Sequence, residues 1–187
     1  MDFDYVIAGG GSAGAVLAAR LSEDPGVSVC LIEAGGGGAD IFIRAPALVA
    51  AMVSGRPRIN NWAFHTVPQP GLNGRRGFQP RGRALGGSSA INAMLYARGH
   101  PGDYDEWAAL GAEGWDWASV LPYFRRSERN ARGGDALHGD AGPLQVGDQS
   151  APRAISSAFL EACAGLQIPR TQDFNGPRQE GAGLFQV

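Results

Sequence analysis

A glycine-rich turn between an apolar run and a helical segment, near the start of the chain, constrains the fold more than any other feature. The run Tyr5–Ala8 predicts a buried parallel strand, and the Ala- and Leu-rich segment ending at Leu21 predicts a helix. Between them lie Gly9, Gly11 and Gly14, in the spacing Gly-x-Gly-x-x-Gly. In this pattern the first glycine permits a tight turn, the second lets a pyrophosphate approach the backbone, and the third lets helix and strand pack closely. The N–H groups and the dipole of the helix N-terminus favour a bound phosphate.

A second apolar run and a terminal acid complete a βαβ unit. Val27–Ile32 predicts the next parallel strand and ends at Glu33, whose carboxylate is able to accept hydrogen bonds from both ribose hydroxyls of an adenosine. Strand, glycines, helix, strand and acid in this order over about 30 residues predict a dinucleotide site rather than a merely structural Gly-rich turn. Glu33 would repel a 2′-phosphate, which disfavours NADP, whereas NAD and FAD both stay open on this unit alone.

The charge distribution argues against a nucleic-acid partner. The formal net charge is −2, and all 16 basic residues are arginines scattered along the chain. The nearest approach to a cluster comprises Arg75, Arg76, Arg81 and Arg83, without interleaved aromatic residues or a recognised module.

Cysteine usage and hydropathy predict the compartment. Cys30 and Cys163 have no metal-ligand spacing and indicate two reduced, buried thiols, which fits a reducing environment. No signal peptide precedes the first strand, and the longest apolar stretch, Ala45–Val53, is too short to span a bilayer. These features predict a soluble, cytoplasmic protein.

Downstream of the βαβ unit, the chain predicts a hairpin and a second glycine-rich block. Trp62–Val67 alternates like a strand, and Asn73-Gly74 is a hairpin turn signal. In the block Gly82–Gly99, a helix is predicted over Ala90–Ala97, capped by Ser88 and Ser89. Its N-terminus would form a second place for a phosphate or a flat polar ring edge.

The rest of the chain predicts helices and a sheet that is not completed. Ala45–Val53, the segment starting at Asp103, Ser119–Ser127 and Ala154–Ala164 each have helical patterns. Only the first 35 or so residues show the βαβ pattern of a doubly wound domain, and no third parallel strand follows. We therefore expect either a long insertion or an incomplete sheet.

These motifs together resemble the glucose–methanol–choline (GMC) oxidoreductases, FAD-dependent enzymes that act on alcohols. The resemblance covers essentially the whole chain, and Gly9–Gly14 with Glu33-Ala34-Gly35 matches the N-terminal FAD fingerprint of the family. Its first signature is matched by Gly82-Arg83-x-Leu85-Gly86-Gly87-Ser88-Ser89-x-Ile91-Asn92-x-x-x-Tyr96-x-x-Gly99. The segments Asp103–Trp107, Gly142–Leu144 and Asp173–Gly176 look like bacterial choline-dehydrogenase-like and alcohol-dehydrogenase-like members.

The resemblance implies a fold and a set of cofactor contacts. The fold class is α/β, a Rossmann-like FAD-binding domain over residues 1–150, followed over 151–187 by the start of an α+β substrate domain. The glycine loop would hold the pyrophosphate, Glu33 the ribose, Trp62 the adenine end, and Asn92–Leu95 the isoalloxazine. The implied cofactor-binding residues are Gly9, Gly11, Ser12, Ala13, Gly14, Glu33, Ala34, Trp62, Leu85, Gly86, Gly87, Ser88, Asn92, Ala93, Met94 and Leu95.

Two departures from the family pattern shape the expected chemistry. Some members attach FAD covalently through a histidine at the position of Ile91, which has no nucleophile, so a noncovalent flavin is expected. The catalytic histidine of the family lies far toward the C-terminus of a longer chain. His65, His100 and His138 do not match it and are interpreted as structural histidines, so no catalytic residue and no metal site is expected here.

The implied activity is oxidation of a small alcohol by hydride transfer to flavin N5, with oxygen or a quinone-type acceptor reoxidising the flavin. The chain looks incomplete and is expected to be inert alone, its apolar strands partly exposed. Three alternatives stay open: a flavin-dependent lyase or decarboxylase of the same fold, a non-catalytic FAD-binding fragment with a complementary C-terminal chain, and an NAD-dependent dehydrogenase that the second glycine block disfavours.

Overall fold

A computed structural model describes residues 2–54 and 59–187. The chain divides into two compact units, with the division between Met94 and Leu95. The boundary predicted at residue 150 is of another kind, because it divides a cofactor-binding part from a substrate-binding part. That functional boundary stays a prediction. Within the described residues, no helix is long and apolar enough to cross a membrane.

Among its described residues, the first unit contains the βαβ unit, two short α-helices and a hairpin. Its elements, with three-residue and four-residue 3-10 turns left unlabelled, are β1 (Tyr5–Ala8), α1 (Ser12–Leu21), β2 (Val29–Ile32), α2 (Ile41–Arg44), α3 (Val49–Val53), β3 (Phe64–His65) and β4 (Phe78–Gln79). The predicted helix over Ala45–Val53 is split into a 3-10 turn, Pro46–Leu48, and α3.

β1 and β2 pair in parallel, in register from Tyr5 opposite Val29 to Ala8 opposite Ile32. The βαβ prediction is thus confirmed, although the strands are not buried: Val6 is 62% and Ile32 55% exposed. A parallel strand is buried only when layers cover both faces of its sheet, and among the described residues β1 and β2 pair only with each other. The expected partial exposure of these strands is confirmed.

The hairpin forms where the turn signal predicts it. β3 and β4 pair antiparallel, with Phe64 opposite Gln79 and His65 opposite Phe78. Asn73 has φ 53° and Gly74 φ 74°, the left-handed conformations that asparagine and glycine tolerate best. The strand itself is shorter than the predicted Trp62–Val67.

The second unit combines three helices with a short parallel strand pair. Its elements are α4 (Pro101–Ala109), α5 (Trp117–Ser127), β5 (Glu128–Asn130), β6 (Leu144–Val146) and α6 (Ala154–Gly165). A capping box starts α4, because His100 Nδ1 accepts from the N–H of Gly102 at 3.1 Å and the Asp103 carboxylate accepts from the N–H of His100 at 2.8 Å. The three predicted helices of this unit are confirmed within a few residues.

A buried polar network holds the second unit together around Glu128. The Glu128 side chain is 0% and the Arg98 side chain 1% exposed, and their charged atoms lie 2.7 Å apart. The carboxylate also accepts hydrogen bonds from Asn130 Nδ2 at 3.0 Å and from the N–H of Gly139 at 2.9 Å, and His138 Nδ1 lies 3.0 Å from it. Several donors therefore satisfy a carboxylate that has no access to water.

The same network ties together segments that are far apart in sequence. Asn175 accepts from the N–H of Arg98 at 2.7 Å and donates to the carbonyl of Tyr96 at 3.1 Å. Tyr96 in turn donates its N–H to the carbonyl of Gln186 at 2.9 Å, and the Gln186 and Asn130 side-chain amides exchange two hydrogen bonds of 3.2 Å. The end of the chain is thereby fixed to the segment that opens the second unit.

Candidate cofactor-binding site

The two glycine-rich segments of the first unit lie side by side. The N–H of Gly86 donates to the carbonyl of Gly10 at 2.8 Å, and Gly11 and Gly86 form a parallel bridge. Next to them, the N–H of Leu85 donates to the carbonyl of Gly36 at 2.9 Å. Three predicted parts of the cofactor site, which are up to 76 residues apart in sequence, are therefore in contact.

Glu33 is positioned by this arrangement. Its carboxylate accepts from the N–H of Gly10 and from the N–H of Gly35, each at 2.8 Å and through a different oxygen. A carboxylate has about four acceptor positions, so capacity for two ribose hydroxyls is retained. The backbone bonds hold the side chain in place before any ligand arrives.

Several glycines are required by close packing that sequence reasoning did not identify. A Cβ at Gly35 would lie 2.0 Å from the carbonyl oxygen of Arg83, and one at Gly82 would lie 1.9 Å from the carbonyl oxygen of Gly87. Gly14 behaves as predicted, because its Cβ would lie 2.0 Å from the carbonyl oxygen of Gly9. The recurrence of glycine in both segments was the only available signal for this packing.

Gly11 is different, since nothing in the described chain requires glycine there. A Cβ at Gly11 would meet only the Cα of Gly87, at an ordinary 3.8 Å, and φ is −75°. Gly11 also has no side chain to cap α1, so the first N–H groups of that helix, beginning at Ser12, have no capping side chain. Open space before a helix N-terminus fits a pyrophosphate that approaches the backbone closely.

The predicted helix over Ala90–Ala97 is wrong. A single 3-10 turn, Gly87–Ala90, is followed by irregular chain. Asn92 Oδ1 accepts from the N–H of Met94 at 2.9 Å, and Met94 has φ 59°, a conformation that ends any right-handed helix. The second glycine block therefore lacks a helix N-terminus and offers backbone groups instead.

Trp62 lies where the hairpin returns to the second glycine block. Its N–H donates to the carbonyl of Arg81 at 2.9 Å, and its ring stacks on Phe64, with centroids 5.8 Å apart. The guanidinium carbon of Arg83 lies 4.9 Å from the centroid of the Trp62 ring. Trp62 is 42% exposed, so part of its ring is accessible to a ligand.

Most of the predicted contacts belong to this one cluster of loops. Ala34 follows Glu33 directly and is exposed, as are Asn92, Ala93 and Met94 beyond the 3-10 turn. Leu95 opens the second unit. By position, the first glycine segment and the start of α1 contain Gly9, Gly11, Ser12, Ala13 and Gly14, the end of β2 is followed by Glu33 and Ala34, and the second glycine block contains Leu85, Gly86, Gly87 and Ser88.

Each of the three histidine side chains contacts another group of the protein. His65 lies beside the Phe78 ring, 5.3 Å between centroids, and His100 caps α4. His138 is buried, with Nε2 2.9 Å from Asp173 and Nδ1 3.0 Å from Glu128. The interpretation of all three as structural histidines stays a prediction.

Comparison with known proteins places the chain in a family. The sequence profile of the GMC oxidoreductases matches residues 3–187. An oxygen-dependent choline dehydrogenase of Rhizobium etli is 46% identical over 186 residues, covering 100% of this chain and 34% of that protein. An alcohol dehydrogenase (acceptor) of Pseudomonas putida is also 46% identical, covering 99% of this chain and 33% of that protein.

The solved structures agree with the sequence relatives. The crystal structure of pyridoxine 4-oxidase from Mesorbium loti superposes with a TM-score of 0.88 at 42% identity, covering 96% of this chain and 35% of that one. The chain thus spans about a third of the length of the relatives it matches. The match over nearly every residue, at this identity, shows that the chain belongs to the GMC oxidoreductase family.

Proposed function

We propose that the full-length protein is an FAD-dependent oxidoreductase that oxidises a small alcohol, and that this chain supplies the cofactor-binding portion. The observation that carries the proposal is the open backbone at Gly11, flanked by the paired glycine loops and by a pre-positioned Glu33. Membership of the GMC oxidoreductases implies a flavin of the FAD type. When bound, FAD would accept a hydride from the alcohol carbon.

The residues of this chain would bind and orient the cofactor. The first-turn N–H groups of α1 would face the pyrophosphate, where the helix dipole adds to their effect. The Glu33 carboxylate would accept from the ribose hydroxyls, and Trp62 would contact the adenine end. Leu85–Ser88 would run along the pyrophosphate and the ribityl chain, and Asn92–Leu95 would flank the isoalloxazine.

Substrate, electron acceptor and catalytic base are further parts of the proposal. The relatives are named for choline, alcohol and pyridoxine, which share a hydroxyl-bearing carbon. We propose a small alcohol as substrate, with oxygen or a quinone-type molecule as acceptor. The catalytic base would come from polypeptide beyond these 187 residues, in the same chain or in a complementary one. The cytoplasmic location also remains a prediction.

Anaerobic reduction of the full-length protein tests the activity. We expect the bound flavin to lose its visible absorbance when an alcohol from a panel of choline, primary aliphatic alcohols and pyridoxine is added without oxygen. Recovery of the absorbance on admission of air, or of a quinone, identifies the acceptor. A flavin that stays oxidised with every alcohol, while dithionite reduces it, would contradict the proposed chemistry.

The noncovalent attachment of the flavin has a simple test. Ile91 offers no atom for a bond to the flavin, so acid denaturation of the full-length protein should release the colour. After centrifugation the yellow colour is expected in the supernatant. Colour that stays with the precipitated protein would refute the noncovalent attachment.

Replacing Glu33 with glutamine should weaken FAD binding by about 1–3 kcal/mol, because charge-assisted hydrogen bonds to the ribose are lost. The isosteric amide also presents donors where the N–H groups of Gly10 and Gly35 now donate. The measurement is the FAD dissociation constant of the apoprotein, by quenching of flavin fluorescence. Glu23→Gln, an exposed acid just after α1 that pairs with Arg20, is the matched control. Equal FAD affinity in wild type and Glu33→Gln would remove Glu33 from the site.

A further inference from the structure

Arg83 differs from Arg75 and Arg81 in what its side chain contacts. Arg81 donates to the carbonyl of Pro80 at 2.6 Å, and Arg75 donates to the carbonyl of Leu72 at 3.0 Å, so both bind backbone next to themselves. The guanidinium of Arg83 instead lies over the Trp62 ring. Among residues 2–54 and 59–187, no carboxylate or carbonyl is placed to accept a hydrogen bond from it.

The backbone of Arg83 fixes where this cation lies. The Arg83 carbonyl packs against Gly35, so closely that a Cβ there would lie 2.0 Å away, and Gly35 donates its N–H to Glu33. The N–H of Arg83 donates to the carbonyl of Asn60 at 2.8 Å. The backbone of Arg83 is therefore linked through Gly35 to Glu33, whose carboxylate is proposed to bind the adenosine ribose.

We propose that Arg83 binds the adenosine diphosphate portion of FAD through its guanidinium. This inference rests on the proposed function and adds a residue to the cofactor site. An aromatic face attracts the cation while leaving the N–H groups at the edge of the guanidinium free to donate. Pyrophosphate oxygens, ribose oxygens and adenine nitrogens are acceptors of the kind this free edge requires, and the pyrophosphate carries the opposite charge. Trp62 orients the guanidinium, so less side-chain entropy is lost when the ligand binds.

The test compares two ligands and two arginines in the apoprotein prepared from the full-length flavoenzyme. Dissociation constants for FAD and for ADP are measured by calorimetry for the wild type, Arg83→Met, Arg83→Lys and Arg81→Met. Methionine keeps much of the apolar length of the arginine side chain and removes the charge. Arg81→Met makes the same chemical change two residues away.

We expect Arg83→Met to weaken FAD and ADP binding by the same factor, about tenfold or more, since a charge-assisted hydrogen bond is lost to both. Arg83→Lys should recover part of the loss, and Arg81→Met should leave both constants within about twofold of wild type. The salt dependence of ADP affinity should also become shallower in Arg83→Met, an effect that a purely structural change would not produce.

The outcomes separate this assignment from the proposed cofactor. Wild-type apoprotein that binds neither FAD nor ADP would overturn both proposals. If the wild-type apoprotein binds FAD and Arg83→Met binds FAD and ADP with the same dissociation constants as wild type, only the assignment of Arg83 would be overturned. Weaker binding with an unaltered salt dependence, or a loss for FAD that ADP does not share, would also overturn it, because the contact would not be an ionic one to the adenosine diphosphate portion.

Discussion

Replacing Gly11 with valine should give a full-length protein that folds but purifies without flavin. The described chain leaves space at this position, because the nearest atom to an added Cβ is the Gly87 Cα at 3.8 Å, and φ of −75° suits any L residue. The added side chain would instead occupy the place where the pyrophosphate approaches the backbone. Each lost hydrogen bond to the charged phosphate costs about 1.5–3 kcal/mol, so several together abolish retention during purification. The measurement is the ratio of flavin to protein absorbance.

Gly14→Ala is the control that separates loss of ligand from loss of fold. Its Cβ would lie 2.0 Å from the carbonyl oxygen of Gly9, so the turn or the helix must move. We expect low yield and a lowered melting temperature of the apoprotein for Gly14→Ala, whereas apo Gly11→Val should melt near wild-type apoprotein. Flavin at wild-type stoichiometry in Gly11→Val would remove Gly11 from the pyrophosphate site.

Replacing Glu128 with glutamine should lower the free energy of unfolding of the second unit by about 3–5 kcal/mol, the usual cost of removing one partner of a buried ion pair. The amide has nearly the same shape, so no cavity arises. Its NH₂ group, however, would face donors at either oxygen position, because Arg98 and the N–H of Gly139 donate to Oε2 and Asn130 Nδ2 donates to Oε1. Urea denaturation of the full-length protein, followed by tryptophan fluorescence, measures the change.

The exposed ion pair between Arg132 and Asp148 offers a matched control. Their side chains are 40% and 61% exposed and their charged atoms lie 2.6 Å apart, about the same separation as Arg98 and Glu128. Asp148→Asn should cost only about 0–1 kcal/mol, because water screens an exposed pair. Equal costs for the two substitutions would show that burial is not what gives Glu128 its effect.

The effect of Glu128 also has a defined pH dependence. Burial alone would raise the pKa of Glu128, but hydrogen bonds from His138, Gly139 and Asn130, together with the charge of Arg98, outweigh it and hold the pKa below its usual value. A carboxylate whose pKa is lower in the folded than in the unfolded state stabilises the folded protein. This contribution is complete at pH values above the pKa of the unfolded chain, about 4.3, and is lost as the pH falls through the pKa of the folded state. The stability difference between wild type and Glu128→Gln should therefore be constant near neutrality and shrink at acidic pH.

The parts of the fold that the sequence predicted are those with local causes. The individual strands and helix of the βαβ unit, the hairpin turn at Asn73-Gly74 and the helices of the second unit each depend on residues that are close together in sequence. The sequence predicts such elements because residues close together in the chain determine them. That the glycine loop before α1 faces a phosphate stays a prediction from the glycine spacing.

Two features were not predicted: the irregular chain after Ser89, which has a local cause, and the buried network around Glu128, which depends on long-range contacts. The Ala- and Leu-containing segment after Ser89 has a helical composition, yet the Asn92 side chain bonds the Met94 N–H and a left-handed Met94 redirects the chain. Glu128 and Arg98 are 30 residues apart, and Asn175 is 77 residues from Arg98. Neither periodicity nor spacing indicates such partners, because each is chosen only when the chain has folded.

Through the hydrogen bond between Gly10 and Gly86, the proposed FAD site would couple cofactor supply to protein abundance. The two loops present their backbone to a dinucleotide only when residues 76 positions apart have met, so FAD would bind the folded chain and not the unfolded one. By mass action, free FAD at about a hundred times its dissociation constant would then add about 2.7 kcal/mol to the free energy of unfolding. Cells short of riboflavin would lose that margin and leave more of the chain to chaperones and proteases, so the steady-state amount of the enzyme would follow the nutritional state of the cell.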